Sequence, residues 1–354
     1  MVIGIYNPYS NTVGGGGEQY MFTIASYFLP SHTVKYYTSN INEVEIAKKR
    51  FELPLSNLIL KPDIFAHGSL VDKMKETHSL DIFITYSDGS IPLSFAKKTF
   101  VVFQFPVPWV SNVSLKNYLK NVHITGYVVN SLFTKHFIDK TFNTDAKLLY
   151  PSISLDSYSV GKKQNRILSV GRFTRGMNTK HQDRMISTFK EMIDKGLADW
   201  ELVVAGATRD EDMDMIDKLR QSGSTYPIRI LPNISRQELL TLYEESSIYW
   251  HAAGLDVNEF QNPEKVEHFG ISTVEAMASG AVPMVYPAGG QKEIVDDQIN
   301  GIYWKNTEDL RTKTFDLISN KKIIAKLSQN ALKKAAMFDR KNSYKKMKDI
   351  FEMR

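Results

Sequence analysis

The amino-acid sequence predicts an α/β protein of two doubly wound domains, each a parallel sheet covered by helices. Short apolar runs rich in β-branched and aromatic residues alternate with segments of helical periodicity, which is typical of parallel sheets. The alternation stops at a polar stretch, residues 151–165, and then begins afresh. The chain has 354 residues, 42% of them hydrophobic, which is enough for two packed cores.

Strands in the first half are predicted from short apolar runs. These runs are MVIGIYN, HTVKYYTS, DIFITYS, TFVVFQF, GYVVNS and AKLLYPS. Helices are predicted where apolar residues recur with a period near 3.6 residues. These segments include GEQYMFTIASYFL, INEVEIAKKRFE and SLFTKHFIDKTF. We place the first domain at residues 1–157.

The same alternation predicts a second domain over residues 158–339. Its strands are RILSVGRF, WELVVAGA, PIRILPN, SIYWHAA, AVPMVYP and GIYW. Its helices include QDRMISTFKEMIDKG, DMDMIDKLRQSG, SRQELLTLYEES and ISTVEAMASG. The sequences DKG, QSG and ASG predict helices that end at a left-handed glycine. Ser235, with Glu238 three residues later, predicts a capping box.

Composition excludes several classes of protein. The chain has no cysteine, so disulfides, iron–sulfur clusters, thiolate zinc sites and cysteine nucleophiles are excluded. The sequence shows no apolar run of about 18 residues and no signal-peptide pattern at its start, so we expect a cytoplasmic protein. Residues 321–354 carry eleven Lys and Arg against three Asp and Glu. This basic stretch is either a solvated helical face or a peripheral contact with an anionic membrane.

Ligands of doubly wound folds bind at the carboxyl ends of the strands, so the loops that follow strands are the candidate binding sites. The loop NTVGGGGEQY leads from the first strand into a helix whose free N–H groups favour an anion. Gly16 and Gly17 allow close backbone approach, and we expect them to meet a phosphate, with a simple turn as the alternative. The spacing is not G-x-G-x-x-G, so the dinucleotide fingerprint is absent.

The loop SVGRFTRGMNTKHQDRM follows the first strand of the second domain. Arg172 stands at the end of that strand, and Lys180 stands at the start of the next helix, where a cation opposes the helix dipole. That placement is favourable if the two cations hold a pyrophosphate between them. The alternative is a pair of solvated surface cations.

The stretch EHFGISTVEAMASG carries two glutamates around a helix start. Glu267 precedes the helix in a loop, and backbone N–H groups of Gly270, Ile271 and Ser272 would offer an anion site. Glu275 lies beside the buried stripe of the helix and is a candidate for binding hydroxyl groups. Its alternative is a capping box in which Glu275 pairs with Ser272.

Two histidines stand near this loop, His251 and His268. A metal needs more ligands than these in a defined geometry, so we expect no metal site. His268, beside Phe269, either shapes the loop or contacts the ligand. The pair Gly289 and Gly290 belongs to another strand-to-helix loop, which we expect at the same edge of the sheet as the loop with Glu267.

With these residues together, the chain resembles the retaining glycosyltransferases of family 4, which have the GT-B fold of two Rossmann-like domains facing across a cleft. The resemblance covers nearly the whole chain. Its strongest part is the motif E-x7-E, which Glu267 and Glu275 match. The stretches GAVPMVYPAGGQKEIV and NGIYW, SVGRF with its following lysine, and GGGGE add to it.

The resemblance implies a donor site in the second domain for a GDP- or UDP-linked sugar. Arg172 and Lys180 would hold the diphosphate and stabilise it as the leaving group. Glu275 would bind the ribose hydroxyls, and Glu267 would lie against the transferred sugar. The backbone near the donor would contribute the remaining contacts, from Gly270, Ile271 and Ser272 to phosphate, from Asn233 and Ile234 to the base, and from Gly16 on closure.

The resemblance also implies that the first domain binds the acceptor and that the last helix, residues 340–354, packs back on it. The sequence departs from the family at one position. Related enzymes often carry a histidine after a middle strand of the first domain, and this chain has Gln104 there. Glutamine can hydrogen-bond a sugar or acceptor, but it cannot act as an acid or base near neutral pH.

The resemblance therefore predicts transfer of mannose or another hexose to a glycan or glycolipid hydroxyl, with retention and without a metal or other cofactor. The stretch EHFGIS is similar to mannosyltransferases that use GDP-mannose. Alternatives are a non-catalytic nucleotide-sugar-binding subunit, and an epimerase or a polysaccharide phosphorylase on the same fold. We expect no nucleic-acid partner, because aromatic and basic residues do not interleave.

Overall fold

The computed structural model describes residues 1–9, 15–40, 42–110, 121–174 and 179–352. Gly14 of the glycine loop lies outside these residues. The chain divides into two compact units, Met1–Ser152 with Lys341–Arg354, and Ile153–Arg340. Across the described ranges, no helix has the length and apolar character needed to cross a membrane.

The border between the units lies at Ser152, ahead of the predicted residue 157. Ile153 already belongs to the second unit, because its N–H donates to the Phe338 carbonyl at 3.0 Å. The Arg340 N–H in turn donates to the Ile153 carbonyl at 2.9 Å. These bonds join the start of the second unit to its end.

The first unit is built on a parallel sheet. Its strands within the described residues are β1 (Val2–Tyr6), β2 (Thr33–Tyr37), β3 (Ile59–Lys61), β4 (Ile82–Tyr86), β5 (Lys98–Phe103), β6 (Gly126–Val129) and β7 (Lys147–Leu148). Their order is β3-β2-β1-β4-β5-β6-β7. Central strands of such sheets are buried on both faces and read as continuous apolar runs. The sequence does not predict β3, because this three-residue edge strand contains no buried residue.

Helices of the first unit cover this sheet. Within the described residues they include α1 (Gly16–Phe28), α2 (Asn42–Phe51), α3 (Ile64–His67), α4 (Leu70–His78) and α5 (Leu132–Phe142). Phe22 and Phe28 of α1 are almost fully buried in the core with Ile3 and Ile5 of β1. This burial holds the start of α1 directly beyond the carboxyl end of β1, where the sequence predicts a ligand.

The second unit repeats this architecture. Its strands within the described residues are β8 (Gln164–Val170), β9 (Glu201–Gly206), β10 (Ile228–Pro232), β11 (Ser246–His251), β12 (Val282–Val285) and β13 (Ile302–Tyr303). They are parallel in the order β10-β9-β8-β11-β12-β13. Because β8 and β11 are neighbours, the loops that follow them open at the same edge of the sheet.

Helices of the second unit pack around a core that contains the fully buried Trp250 and Trp304. They are α6 (Gln182–Asp194), α7 (Met213–Gly223), α8 (Arg236–Glu245), α9 (Ile271–Ala278), α10 (Gln291–Ile294), α11 (Thr307–Ser319) and α12 (Lys321–Ala335). Gly196 and Gly280 follow α6 and α9 with positive φ, as predicted. The prediction for QSG is wrong, because Gly223 is the last residue of α7 and has no positive φ.

The last helix, α13 (Arg340–Phe351), packs on the first unit. The Phe351 ring is fully buried, 5.7 Å from the ring of Phe28 and 5.0 Å from that of Phe100. The basic residues near the C-terminus are therefore divided between the two units. Exposed lysines of α12 belong to the second unit, and those of α13 belong to the first.

The predicted capping box at the start of α8 is confirmed. Ser235 Oγ accepts a hydrogen bond from the Glu238 N–H at 3.2 Å, and Glu238 Oε2 accepts one from the Ser235 N–H at 2.8 Å. These bonds satisfy two N–H groups that the first turn of a helix leaves without partners. They fix the position of Arg236, the next residue.

We expect Ser235→Ala to lower the free energy of unfolding by about 1 kcal/mol, because the Glu238 N–H loses its acceptor. Urea unfolding measures the change. Glu238→Gln is the matched control, because glutamine also completes a capping box and should cost less. Equal losses in the two variants would contradict the assigned role of the serine hydroxyl.

Candidate functional site

Glu267 lies between a lysine and a histidine at the carboxyl edge of the second sheet. Its Oε2 accepts a hydrogen bond from Lys180 Nζ at 2.6 Å and lies 2.9 Å from His251 Nε2. The Lys180 and Glu267 side chains are only 15% and 14% exposed. His251 is the last residue of β11, so the strand places its imidazole directly against the carboxylate.

Two glycines hold Glu267 in this position. The Gly290 N–H donates to the Glu267 carbonyl at 2.8 Å. A Cβ on Gly289 would stand 2.1 Å from the same carbonyl oxygen, and Gly289 has a φ of +58°. Only glycine combines this φ with so close an approach. The pair Gly289–Gly290 therefore shapes the loop that carries Glu267.

The charges of this cluster are set by burial and by one another. Burial disfavours the ionised form of Glu267, but the charge of Lys180 and the hydrogen bond with His251 outweigh it and hold the pKa of Glu267 well below its usual range. Burial lowers the pKa of His251, against the influence of Glu267. His251 is therefore neutral near pH 7. Because a carboxylate only accepts hydrogen bonds, the proton sits on Nε2, which donates to Glu267.

Lys180 stands just before α6, as the sequence predicts, and its side chain lies over the end of β8. A Cβ on Gly171 would stand 2.7 Å from Lys180 Cγ, so the lysine stem crosses the glycine. Arg172 follows, with an exposed side chain and a carbonyl that accepts from Gln182 Nε2 at 3.1 Å. The solvated alternative is wrong for Lys180, which is enclosed and paired, whereas the Arg172 side chain is open to solvent.

The start of α9 presents unused backbone donors. Gly270 is the N-cap with a φ of +115°, and a Cβ there would stand 2.2 Å from Gln291 Nε2. In the part of the chain that the structure describes, no group accepts from the N–H of Gly270, Ile271 or Ser272. The Ser272 hydroxyl lies 2.8 Å from that of Tyr249. Such a helix start is suited to an anion.

Glu275 is held by three side chains that come from distant parts of the unit. Its Oε1 accepts from the Tyr158 hydroxyl at 2.6 Å and from Arg236 Nη1 at 3.0 Å. Its Oε2 accepts from the Tyr243 hydroxyl at 2.9 Å. The capping-box alternative for Glu275 is wrong, because α9 begins at Ile271 with Gly270 as its cap, and Ser272 is the second helical residue.

Asn233 joins the loops that follow β9 and β10. Its Oδ1 accepts from the Thr208 N–H at 2.9 Å, and its Nδ2 donates to the Thr208 carbonyl at 3.2 Å. Its φ of +53° turns the chain toward α8. Ile234 is half-buried and packs against the cluster that contains Tyr243. Both residues therefore belong to the segment that connects the carboxyl end of β10 to Arg236 at the start of α8.

His268 and Phe269 shape the loop before α9. Burial lowers the pKa of His268 to about 4, even though Glu267 and hydrogen bonds with the backbone of Pro263 and Glu264 favour its charged form. The Phe269 ring is buried and stands edge-on to that of Phe338 at 5.4 Å. These contacts are the loop-shaping role that the sequence offers as one interpretation.

In the first unit, the structure brings Gln104 to the start of α1. Gly16 is the first residue of that helix, and the Gly17 carbonyl accepts from Gln104 Nε2 at 3.1 Å. Gln104 is 7% exposed, and its own carbonyl accepts from Asn130 Nδ2 at 2.8 Å. The residue where the chain departs from the family thus contacts the glycine loop.

Sequence reasoning named Lys180 but missed the other partners of the two glutamates. His251 is considered there only as a metal ligand, and Tyr158, Arg236 and Tyr243 are not singled out. The sequence offers one local signal for these partners: Arg236 directly follows the predicted N-cap Ser235. No such signal marks Tyr158 or Tyr243. Among the residues described here, no three His, Asp or Glu side chains form a group that could hold a metal ion.

Comparison with known proteins gives the family. The model for glycosyl transferases group 1 matches residues 154–334, just over half of the chain. A Caenorhabditis elegans protein, GDP-Man:Man(3)GlcNAc(2)-PP-Dol alpha-1,2-mannosyltransferase, is 28% identical over 193 residues, which are 50% of this chain and 39% of that protein. The chain spans less than half the length of the curated relatives that it matches.

Solved structures show the fold. Anabaena Alr3699/HepE in complex with UDP has a TM-score of 0.77 at 16% identity, covering 99% of this chain and 100% of that one. Sucrose-phosphate synthase from Thermosynechococcus elongatus has a TM-score of 0.74 at 13% identity, covering 99% and 98%. The predicted α/β GT-B fold class is confirmed. The chain belongs to the glycosyl transferases of group 1.

Proposed function

We propose that this protein is a retaining glycosyltransferase of family 4 that moves mannose or another hexose from a nucleotide-diphosphate sugar to a glycan or glycolipid hydroxyl. One observation carries the proposal. The N–H groups at the start of α9, from which no described group accepts, lie in the sequence between two glutamates, one paired with Lys180 and the other held by Arg236 and two tyrosines. A phosphate would bind the N–H groups, the transferred sugar would lie against Glu267, and the ribose would bind Glu275.

The diphosphate is assigned to the start of α9, where Ile271 and Ser272 would donate N–H groups to phosphate oxygens. Arg172 would supply charge from its exposed side chain. Lys180 would share its ammonium between Glu267 and the phosphate. Preorganised donors of this kind stabilise the departing diphosphate without reorganising in the transition state.

The transferred sugar is assigned to Glu267. Its carboxylate, ionised because Lys180 and His251 offset its burial, would support positive charge at the anomeric carbon. The acceptor hydroxyl would attack from the face that the diphosphate leaves, and a departing phosphate oxygen would take its proton. This scheme needs no metal, and Mg²⁺ dependence of turnover would contradict it. Gln104 would bind the acceptor or sugar through hydrogen bonds.

The base of the donor is open between two choices. The curated relative carries GDP-mannose in its name, and HepE is described in complex with UDP. The backbone of Asn233 and Ile234 is assigned to the base in either case. A peripheral contact with anionic membranes through lysines of α12 and α13 stays a prediction.

The test is a thermal-shift screen against GDP, UDP, ADP and dTDP and their sugar conjugates, with and without Mg²⁺. A ligand that binds only the native state raises Tm by mass action. We expect one nucleotide to raise Tm, independently of Mg²⁺. Glu275→Gln should weaken binding about tenfold or more, because an amide is a poorer acceptor for ribose hydroxyls.

Glu308→Gln on α11 is the matched control, since that side chain is 79% exposed in the same unit. No shift with any nucleotide would overturn the donor site. Binding without transfer or release of sugar would favour a non-catalytic nucleotide-sugar-binding subunit. Conversion of the donor to another sugar, without an acceptor, would favour an epimerase.

A further inference from the structure

The hydrogen bonds of Glu275 limit what its carboxylate can still accept. A carboxylate offers about four places for hydrogen-bond donors, two on each oxygen. Tyr158 and Arg236 fill both places on Oε1, and Tyr243 fills one on Oε2. Among the described residues no further group donates to this carboxylate, so one place remains, on Oε2. A ribose presents two neighbouring hydroxyls, so this carboxylate cannot take both without losing a partner.

The two donors to Oε1 also hold each other. Arg236 Nη2 donates to the Tyr158 hydroxyl at 2.6 Å, while that hydroxyl donates to Glu275. The guanidinium carbon lies 5.3 Å from the centre of the Tyr158 ring. Arg236, Tyr158 and Oε1 thus form a closed ring of hydrogen bonds. Displacing one member breaks two of the three hydrogen bonds.

Burial makes that displacement costly. The Arg236 and Glu275 side chains are 19% and 10% exposed, and the Tyr243 hydroxyl is buried. A ribose hydroxyl that displaced Arg236 would leave a partly buried guanidinium without its carboxylate. Adding a hydroxyl to the open place on Oε2 leaves every existing bond intact.

We propose that Arg236 and Tyr158 position Glu275 so that its carboxylate accepts one ribose hydroxyl of the donor, through Oε2, and not both. This inference rests on the proposed function, in which Glu275 binds the donor ribose. It makes Arg236 and Tyr158 positioning residues that determine how the nucleotide is recognised.

The test uses the native full-length protein and isothermal titration calorimetry. GDP and UDP are titrated first, and then the 2′-deoxy and 3′-deoxy forms of whichever binds. Loss of one hydrogen bond to a charged group should weaken one deoxy form about tenfold or more. The other deoxy form should bind within about twofold of the parent nucleotide.

Equal weakening of both deoxy forms would overturn the inference while leaving the proposed function intact, because the parent nucleotide still binds. Equal retention of both would remove Glu275 from ribose recognition and overturn it as well. If neither GDP nor UDP binds, the proposed function fails and this inference fails with it.

Tyr158→Phe tests the positioning role directly. It opens a place on Oε1, so the difference between the two deoxy forms should shrink toward about twofold. A merely structural role would change stability and leave that difference unchanged. Arg236→Met should raise the KM for the donor about tenfold with a smaller change in kcat, and Gln237→Ala, exposed on the same helix, should change neither.

Discussion

Replacing Lys180 by Met is expected to slow sugar transfer by about 10² to 10³-fold, the typical loss when one preorganised electrostatic group is removed. The same change should lower the free energy of unfolding of the second unit by about 3 kcal/mol. The reason is that the Glu267 carboxylate, only 14% exposed, would lose its cation, and His251 would be its remaining side-chain partner among the described residues. Removing one partner of an enclosed ion pair costs more than the pair itself contributes.

A double-mutant cycle with Glu267→Gln separates the stability term from the catalytic one. The double variant should lose less free energy of unfolding than the two single variants lose together, because no unpaired charge remains. Its transfer rate should stay low. Lys195→Met, at the exposed end of α6, is the control and should change neither quantity. Full transfer activity in Lys180→Met would refute the role assigned to this lysine.

Lowering the pH from 6.5 to 4 is expected to reduce the free energy of unfolding by as much as about 3 kcal/mol through His268. Burial lowers the pKa of His268 to about 4, whereas an unfolded chain has a histidine pKa near 6.5. Between these two pH values the histidine is protonated in the unfolded state, whereas His268 stays neutral in the native state. The contribution of His268 to stability is therefore nearly constant well above pH 6.5 and falls as the pH drops toward 4.

Urea unfolding at a series of pH values measures this slope. His268→Gln should flatten it, and His78→Gln, on the exposed face of α4, should leave it unchanged. Some slope will remain in His268→Gln, because burial lowers the pKa of His251 as well. Glu267 stays ionised in the native state throughout this range, but an unfolded glutamate begins to bind a proton below about pH 5, so Glu267 adds to the slope at its acid end. An identical slope in His268→Gln and the native protein would contradict the origin proposed here.

Local patterns were sufficient for most of the fold. The buried strands of both sheets are continuous apolar runs, and the capping box at Ser235 depends on residues three apart. Such features are set by interactions between near neighbours in sequence, which a single chain displays directly. The sequence did not predict the edge strand β3, because a short strand without buried residues has no apolar run to mark it. The left-handed helix end predicted at Gly223 is wrong, because a glycine after polar residues resembles a helix end even where the chain is still helical.

The sequence by itself determined the two α/β domains, the loops at their carboxyl edges and the pair Glu267 and Glu275. Only the tertiary structure decided what each glutamate contacts. Arg236 is 39 residues from Glu275, and Tyr158 is 117 residues away. Strand order brings these segments together: β8 and β11 are neighbours although two strands lie between them in the chain. A side chain's hydrogen-bond partners follow from that order and from burial, which no local pattern contains.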